Sequence, residues 1–184
     1  MVRRRLALLA LACLSRSATA DDCLSGSTAG YVYPRGGSGE SGGIFHWLFP
    51  SQSASPHSDP TVIWLQGGPG ASSLLGAFYE QGPCLVSDEG TLETLKPNPW
   101  SWNKGANLMY IDQPMGTGFS FLPVNGSGGS TGWVEDMDTM AKDMLQTLLL
   151  LLEKYPYMKT NPLILSGESY AGRCKIHTKP LSRP

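Results

Sequence analysis

The sequence predicts an α/β fold, and three features predict it. Thr61-Val62-Ile63-Trp64-Leu65 and Asn107-Leu108-Met109-Tyr110-Ile111 are continuous β-prone runs, the pattern of strands covered on both faces. Residues 134–155 then repeat apolar positions at helical spacing. A third apolar run, Leu163-Ile164-Leu165, ends in the sharp Ser166-Gly167-Glu168-Ser169-Tyr170-Ala171-Gly172 bend. Strand, helix, strand, with a bend at the last strand's end, is the order of an α/β sheet.

The 184 residues are enough for one domain of ordinary size. With 41% hydrophobic and 16% charged residues a packed core is expected, and 22 Gly with 14 Pro point to a loop-rich body. Residues 1–20 have the order of a secretory signal: Arg3-Arg4-Arg5, an apolar stretch over 6–14, then Ala18-Thr19-Ala20 as a small-residue cleavage site. The apolar stretch is too short to span a bilayer. Removing this signal takes away four Arg and leaves ten basic against fifteen acidic residues, a formal charge of −5, which argues against a nucleic-acid partner. Cys13 leaves with it. Cys23, Cys84 and Cys174 remain, an odd count for an oxidising compartment, so at least one is unpaired or lacks its partner. Asn125-Gly126-Ser127 is a glycosylation sequon in a Gly/Ser-rich loop, meaningful only for a secreted chain.

In chain order, Tyr31-Val32-Tyr33 and residues 44–49 flank a Gly-rich turn over 36–43 and predict an antiparallel hairpin. A polar connector over 51–60 leads into the run at 61–65. In the helical stretch Glu135, Asp136 and Asp138 suit the positive end of the dipole and Lys154 the negative end. Residues 148–152 are apolar all round, which predicts that this end is sandwiched in protein. Pro156 stops the helix. Trp100 and Trp102 alternate about Ser101 and are expected to pack inward. No internal repeat is visible.

Two segments carry chemistry. At the bend, small residues are needed two before and two after Ser169, because side chains there would collide; Gly167 and Ala171 occupy those places. This is the outline of a nucleophile elbow, with the Tyr170 N–H directed where an oxyanion would form. Alone the pattern is weak. The second segment is 66–73, Gln-Gly-Gly-Pro-Gly-Ala-Ser-Ser, which follows a strand and leaves backbone amides uncovered. A phosphate loop would need a Gly-Lys-Ser/Thr ending, which it lacks. As the second half of an oxyanion hole it fits, since acyl-transfer serine enzymes of this architecture take one N–H from beside the nucleophile and one from an earlier Gly-rich loop. Gly116-Thr117-Gly118 lacks the third glycine of a dinucleotide fingerprint, Phe121 standing in its place, and reads as a turn lining the cleft.

Taken as a set, Trp64-Leu65-Gln66-Gly67-Gly68-Pro69-Gly70-Ala71-Ser72-Ser73, Glu80-Gln81-Gly82-Pro83, Asn98-Pro99-Trp100-Ser101-Trp102, Asp112-Gln113-Pro114-Met115-Gly116-Thr117-Gly118-Phe119-Ser120 and the bend at 167–172 resemble the serine carboxypeptidases, in order and at family spacing. The resemblance covers about 31–173. Gln66 stands where many members have asparagine, and the vitellogenic-like, lysosomal-type branch is the one the chain resembles most. The resemblance implies an α/β-hydrolase fold, truncated after the nucleophile elbow, and hydrolysis of C-terminal peptide bonds through an acyl-enzyme. It implies Ser169 as nucleophile, the Gly68 and Tyr170 amides as oxyanion hole, and Gln66, Gly67, Glu80 and Glu168 as receptors of the substrate's terminal carboxylate. Two acids pressed together in a partly dry site cannot both ionise cheaply, so at least one pKa rises. While protonated they donate hydrogen bonds to a carboxylate instead of repelling it, which favours binding in mild acid. No metal and no cofactor is called for, and the partners expected are peptide or protein C-termini, with no membrane.

A serine hydroxyl needs a histidine to take its proton and an acid to orient that histidine. In this architecture both follow the serine. After Ser169 the sequence holds one histidine, His177, and no Asp or Glu. Residues 21–172 carry six basic and fifteen acidic residues, whereas 173–184 carry four basic and none acidic. Family members continue past Gly172 as Lys/Arg-Tyr-Val-Pro; here Arg173 is followed by Cys174-Lys175-Ile176-His177. The chain therefore divides into a signal peptide (1–20), the N-terminal part of a carboxypeptidase domain (21–172) and a divergent basic tail (173–184), foreign to the fold in the way a frameshift or retained intron would make it. Cys174 is then accidental, and the partner of Cys23 or Cys84 is to be sought elsewhere. Neither His46 nor His57 is placed as a substitute base. The strand at 163–166, without further strands beside it, is expected to be an exposed apolar edge that promotes aggregation. Two alternatives stay open: a non-catalytic secreted binding fragment that keeps the carboxylate pocket, and an acyltransferase of the same family.

Overall fold

The computed structural model describes residues 23–37, 39–87, 95–124 and 129–173. Residues 1–20, read above as a signal, Asn125 and residues 174–184, with Cys174 and His177, lie outside the described residues. The strands are β1 (Thr28–Val32), β2 (Ile44–Phe49), β3 (Thr61–Leu65), the two-residue pair β4 (Cys84–Leu85) and β5 (Lys96–Pro97), β6 (Asn107–Ile111) and β7 (Leu163–Gly167). Five of them form one mixed sheet in the order β1-β2-β6-β3-β7. The β1–β2 hairpin is antiparallel, Val32 opposite Ile44, and β2 runs antiparallel to β6. β6, β3 and β7 are parallel, with Trp64 opposite both Tyr110 and Ser166.

The continuous apolar runs have the reason the sequence suggested. Every residue of β3 and β6 is buried, and alternate side chains enter opposite layers, as strand geometry requires. Ile63, Leu65, Met109 and Ile111 pack with Met140, Met144, Leu148 and Leu151 of the helix α1 (Met137–Lys154). Val62, Trp64, Leu108 and Tyr110 pack on the other face with Phe49, Ala77 and Phe78.

Helix α1 begins at Met137 because Asp136 caps it: its carboxylate accepts the Thr139 N–H at 2.7 Å and the Thr139 hydroxyl at 2.8 Å. Glu135 stays outside. The expectation that residues 148–152 are sandwiched in protein is corrected by the exposure of Leu149 (39%). The sheet covers only one side of the helix, and Asp143 on that side is held by Arg35, Nη2 to Oδ2 2.7 Å. Lys154 does lie in the last turn.

Two further expectations are corrected. Trp100 (84% exposed) and Trp102 (47%) point outward, and Ser101 between them is the buried residue, its hydroxyl donating to the Gln81 carbonyl at 3.1 Å. The alternation is real but inverted, because it sits on a short 3-10 turn, Trp102–Lys104, whose cap is Ser101. Cys23 and Cys84 are also not orphaned: they are joined to each other, closing a third small cluster with Leu95. Strand β7 pairs only with β3 among the described residues and leaves Ile164 48% exposed.

Candidate active site

The carboxyl ends of β3, β6 and β7 lie side by side, so the segments that follow them, 66–73, 112–120 and 168–172, emerge at one edge of the sheet. That edge is where ligands of open α/β sheets bind.

The bend after β7 is strained at one residue. Ser169 has φ +53°, in the left-handed region that costs an L side chain roughly 1–2 kcal/mol. The chain then turns into helical geometry, with Gly172 N–H bonded to Ser169 O and Arg173 N–H to Tyr170 O. A Cβ at Gly167 would stand 2.3 Å from the Leu65 carbonyl oxygen and 2.8 Å from the Ala171 Cβ, and Ala171 itself is fully buried. Small residues on either side of the serine are thus a steric requirement. The serine is exposed at the tip.

The 66–73 loop is folded against this bend. Gly67 is packed so that a Cβ there would meet the Tyr170 amide nitrogen at 3.0 Å and the Glu168 carbonyl oxygen at 3.1 Å. Gly68 (φ +111°) and Gly70 (φ +94°) adopt backbone that only glycine takes readily. The Gly68 N–H has no acceptor among the described residues. Gly67, the residue before the expected donor Gly68, is thus packed on Tyr170, the other expected donor, from chain segments about a hundred residues apart.

Gln66 is buried and joins two acids. Trp64 Nε1 donates to Gln66 Oε1 at 2.8 Å, which turns the amide nitrogen outward; that Nε2 donates to Glu168 Oε1 at 2.6 Å and reaches Glu80 Oε1 at 3.5 Å. Glu80 arrives on a single wide helical turn, Gly76–Glu80, which only a glycine at 76 permits, because a Cβ there would be 2.5 Å from Trp64 Nε1. Asn98 Nδ2 pins the turn by donating to the Glu80 and Gly82 carbonyls. Both carboxylates are exposed, so the site is more open than a partly dry pocket. Even so, burial raises the Glu80 pKa above its ordinary value, the charge of Glu168 raises it further, and the Gln66 hydrogen bond opposes both.

Two residues quoted in the sequence motifs had no role assigned to them there. Trp64 orients Gln66. Asp112, almost fully buried, accepts from the Ser72 hydroxyl and the Ser73 N–H (2.7 Å each) and from the Phe119 N–H (2.9 Å), bracing the 66–73 loop against 112–120. Its sequence signals were its place directly after an apolar strand and at the head of the 112–120 motif, neither of which gives it a role. The two described histidines go elsewhere: His46 Nε2 hydrogen-bonds Tyr155 Oη at 3.0 Å, and His57 stacks on Tyr157 with ring centroids 4.7 Å apart.

A mixed sheet with a strained serine turn after one parallel strand and a glycine loop after its neighbour is an α/β-hydrolase fold. Comparison with known proteins makes this specific: the model of the serine carboxypeptidase family matches residues 21–175, and the chain belongs to that family. It is 45% identical over 129 residues to serine carboxypeptidase S10 family member 1 of Dictyostelium discoideum, covering 70% of this chain and 29% of that protein. It is 41% identical over 130 residues to the venom serine carboxypeptidase of Apis mellifera, covering 71% and 26%. Among solved structures it is similar to Kex1, a prohormone-processing carboxypeptidase from Saccharomyces cerevisiae, with TM-score 0.71, 33% identity, 83% of this chain and 32% of that one covered. The chain thus spans about a third or less of the length of these relatives.

Proposed function

We propose that this chain carries the substrate-recognition part of a serine-type carboxypeptidase, with peptide C-termini as its ligands. In this reading the terminal carboxylate is received by Gln66, Gly67 and a protonated Glu80–Glu168 pair. The scissile carbonyl faces the Gly68 and Tyr170 amides, and Ser169 is the attacking hydroxyl that forms the acyl-enzyme. The observation that carries it is the Gln66 side chain bonded to Glu168 and reaching Glu80, one residue from a glycine packed on Ser169. Among the described residues no group is assigned as the proton acceptor of Ser169, the two described histidines being engaged elsewhere. That same observation favours a second reading, a secreted non-catalytic binding fragment. We also assign residues 1–20 as a cleaved signal, 21–172 as the carboxypeptidase part and 173–184 as a divergent tail, and place the chain in the secretory pathway, secreted or lysosomal, with Asn125 glycosylated.

The test is titration of the 184-residue chain with a blocked dipeptide acid and with the corresponding amide, at several pH values. The acid is expected to bind more tightly. Its advantage should fall as pH rises through the elevated Glu80 pKa, because deprotonated Glu80 repels the ligand, and Glu80→Gln should flatten the dependence. Equal affinity for acid and amide would sink the reading. Labelling of Ser169 by a fluorophosphonate separates the two variants: labelling indicates an activated nucleophile, and silence with retained acid binding indicates the binding fragment.

A further inference from the structure

We propose that Asn98 is a positioning residue for carboxylate recognition, its buried amide fixing the backbone of Glu80 so that this acid meets Gln66 and Glu168; this rests on the carboxylate reading above. Glu80 ends the wide turn Gly76–Glu80, which closes with the Gln81 and Gly82 N–H groups both donating to Gly76 O, at 3.1 and 3.3 Å. The chain folds back so tightly there that a Cβ at Gly82 would stand 1.9 Å from the Ala77 carbonyl oxygen. The next carbonyls all accept from the 98–102 segment. Asn98 Nδ2 donates to Glu80 O at 3.1 Å and to Gly82 O at 2.9 Å. The Ser101 hydroxyl and the Trp102 N–H donate to Gln81 O, and the Asn98 N–H donates to Pro83 O at 2.8 Å.

Both amide hydrogens of Asn98 are thereby used, and its Oδ1 accepts the Trp100 N–H at 2.9 Å. Turned over, the amide would set an oxygen against two carbonyls, so its orientation is fixed. Asn98 is the side chain that grips the Glu80 backbone itself, whereas Ser101 holds the residue after it. Placement matters here because Gln66 Nε2 reaches Glu80 Oε1 at 3.5 Å, the outer edge of hydrogen-bonding distance. A small movement of the turn breaks that contact and takes Glu80 away from Glu168, leaving the Gln66–Glu168 bond of 2.6 Å intact. The titratable groups acting across this site are Glu168, whose charge raises the Glu80 pKa, and Tyr110 of β6. Burial first, and the Glu80 charge second, raise the Tyr110 pKa, so it stays neutral and leaves Glu168 as the charge that Glu80 meets.

The experiment titrates the full chain and its variants with acetyl-Phe-Ala, as free acid and as amide, across a range of pH, with an unfolding midpoint for each. Asn98→Ala removes both donors, so the preference for acid over amide in mild acid should fall about ten-fold, the worth of one charge-assisted hydrogen bond. What preference remains should fade at lower pH than in the parent, because a Glu80 moved away from Glu168 loses part of what raises its pKa. Ser101→Ala loses its bond to Gln81 O and should lower the unfolding midpoint, yet leave the preference and its pH profile as in the parent. Asn98→Ser keeps one O–H donor and should fall between parent and Asn98→Ala; it decides the matter by the same measures if Asn98→Ala does not fold. If acid and amide bind alike in the parent, the carboxylate reading has failed and this proposal with it. If the parent prefers acid but the folded Asn98 variants keep its preference and pH profile, or Ser101→Ala moves both as far, the positioning role is overturned and the carboxylate reading stands.

Discussion

Gly67 lies against Ser169 with no room for a side chain: a Cβ at residue 67 would stand 2.7 Å from the Ser169 Cβ. The two residues meet because β3 and β7 are parallel neighbours in register, Leu65 opposite Gly167, so each strand hands its following bend to the same place. Gly67→Ala is therefore expected to destabilise the chain by about 1–3 kcal/mol, the range for overpacking, because two of the atoms the methyl would meet are backbone. It should also abolish acid-over-amide peptide binding, since the strain falls between the carboxylate group and the Tyr170 amide. Denaturant midpoints with an unchanged slope, and the same titration, check both.

Ser169→Gly should do the reverse to stability. The serine holds φ +53°, which glycine adopts without the Cβ penalty. The relief is partly offset by the greater freedom of glycine in the unfolded chain, leaving an expected gain of about 0.5–1 kcal/mol. Ser169→Ala keeps the Cβ and the strain and should stay within about 0.5 kcal/mol of the parent. Thermal melts of the two variants side by side decide it: a glycine variant no more stable than the alanine one would mean that the bend stores no strain.

The Asp112 carboxylate is the tie between two loops, with three donors converging on it and Gly118 so close that a Cβ there would touch Oδ2. Asp112→Asn swaps one accepting oxygen for an N–H₂ that must face a donor. A loss of about 2 kcal/mol or more is expected, the scale of an ionic hydrogen bond removed inside protein. Because the brace holds the loop bearing Gly68, peptide affinity should fall further than stability alone explains, measured well below the unfolding midpoint. Unchanged affinity in the folded variant would limit Asp112 to a structural role.

The residues legible beforehand were those whose chemistry is local. β3 and β6 announce themselves because every side chain must be apolar in a strand buried on both faces. Gly67, Gly167 and Ala171 are readable because a tight bend excludes side chains whatever surrounds it. The illegible features are relations between distant segments. Nothing in the spacing of Cys23 and Cys84 says that they pair, and Asp112 looks like any loop acid until its three donors are in place. Leu149 shows a different limit: in the 148–152 stretch, apolar all round, periodicity does not mark which side faces water. At Trp100 and Trp102 the alternation was visible, but its sign depends on which neighbour buries Ser101.

His46 should make the fold acid-labile. It sits fully buried on β2, between Gly30 and Ile111 of the flanking strands, with its Nε2 on Tyr155 Oη and Lys154 nearby. Burial, and secondarily the Lys154 charge, lower its pKa from 6.5 to about 4. The unfolded chain takes up this proton near 6.5, whereas the folded chain resists it until about 4. In that window the unfolded state binds more protons, so the contribution is intact above the unfolded value and is lost as pH falls through the window. The full loss is on the order of 3 kcal/mol. His46→Gln keeps a polar group for Tyr155 and cannot titrate, so its stability should fall less than the parent's between pH 7 and pH 4.5. Lys154→Met should recover a smaller part by removing the neighbouring cation. Denaturant midpoints across that range are the measurement, and parallel curves for parent and His46→Gln would show that the imidazole is protonated without penalty in the folded chain.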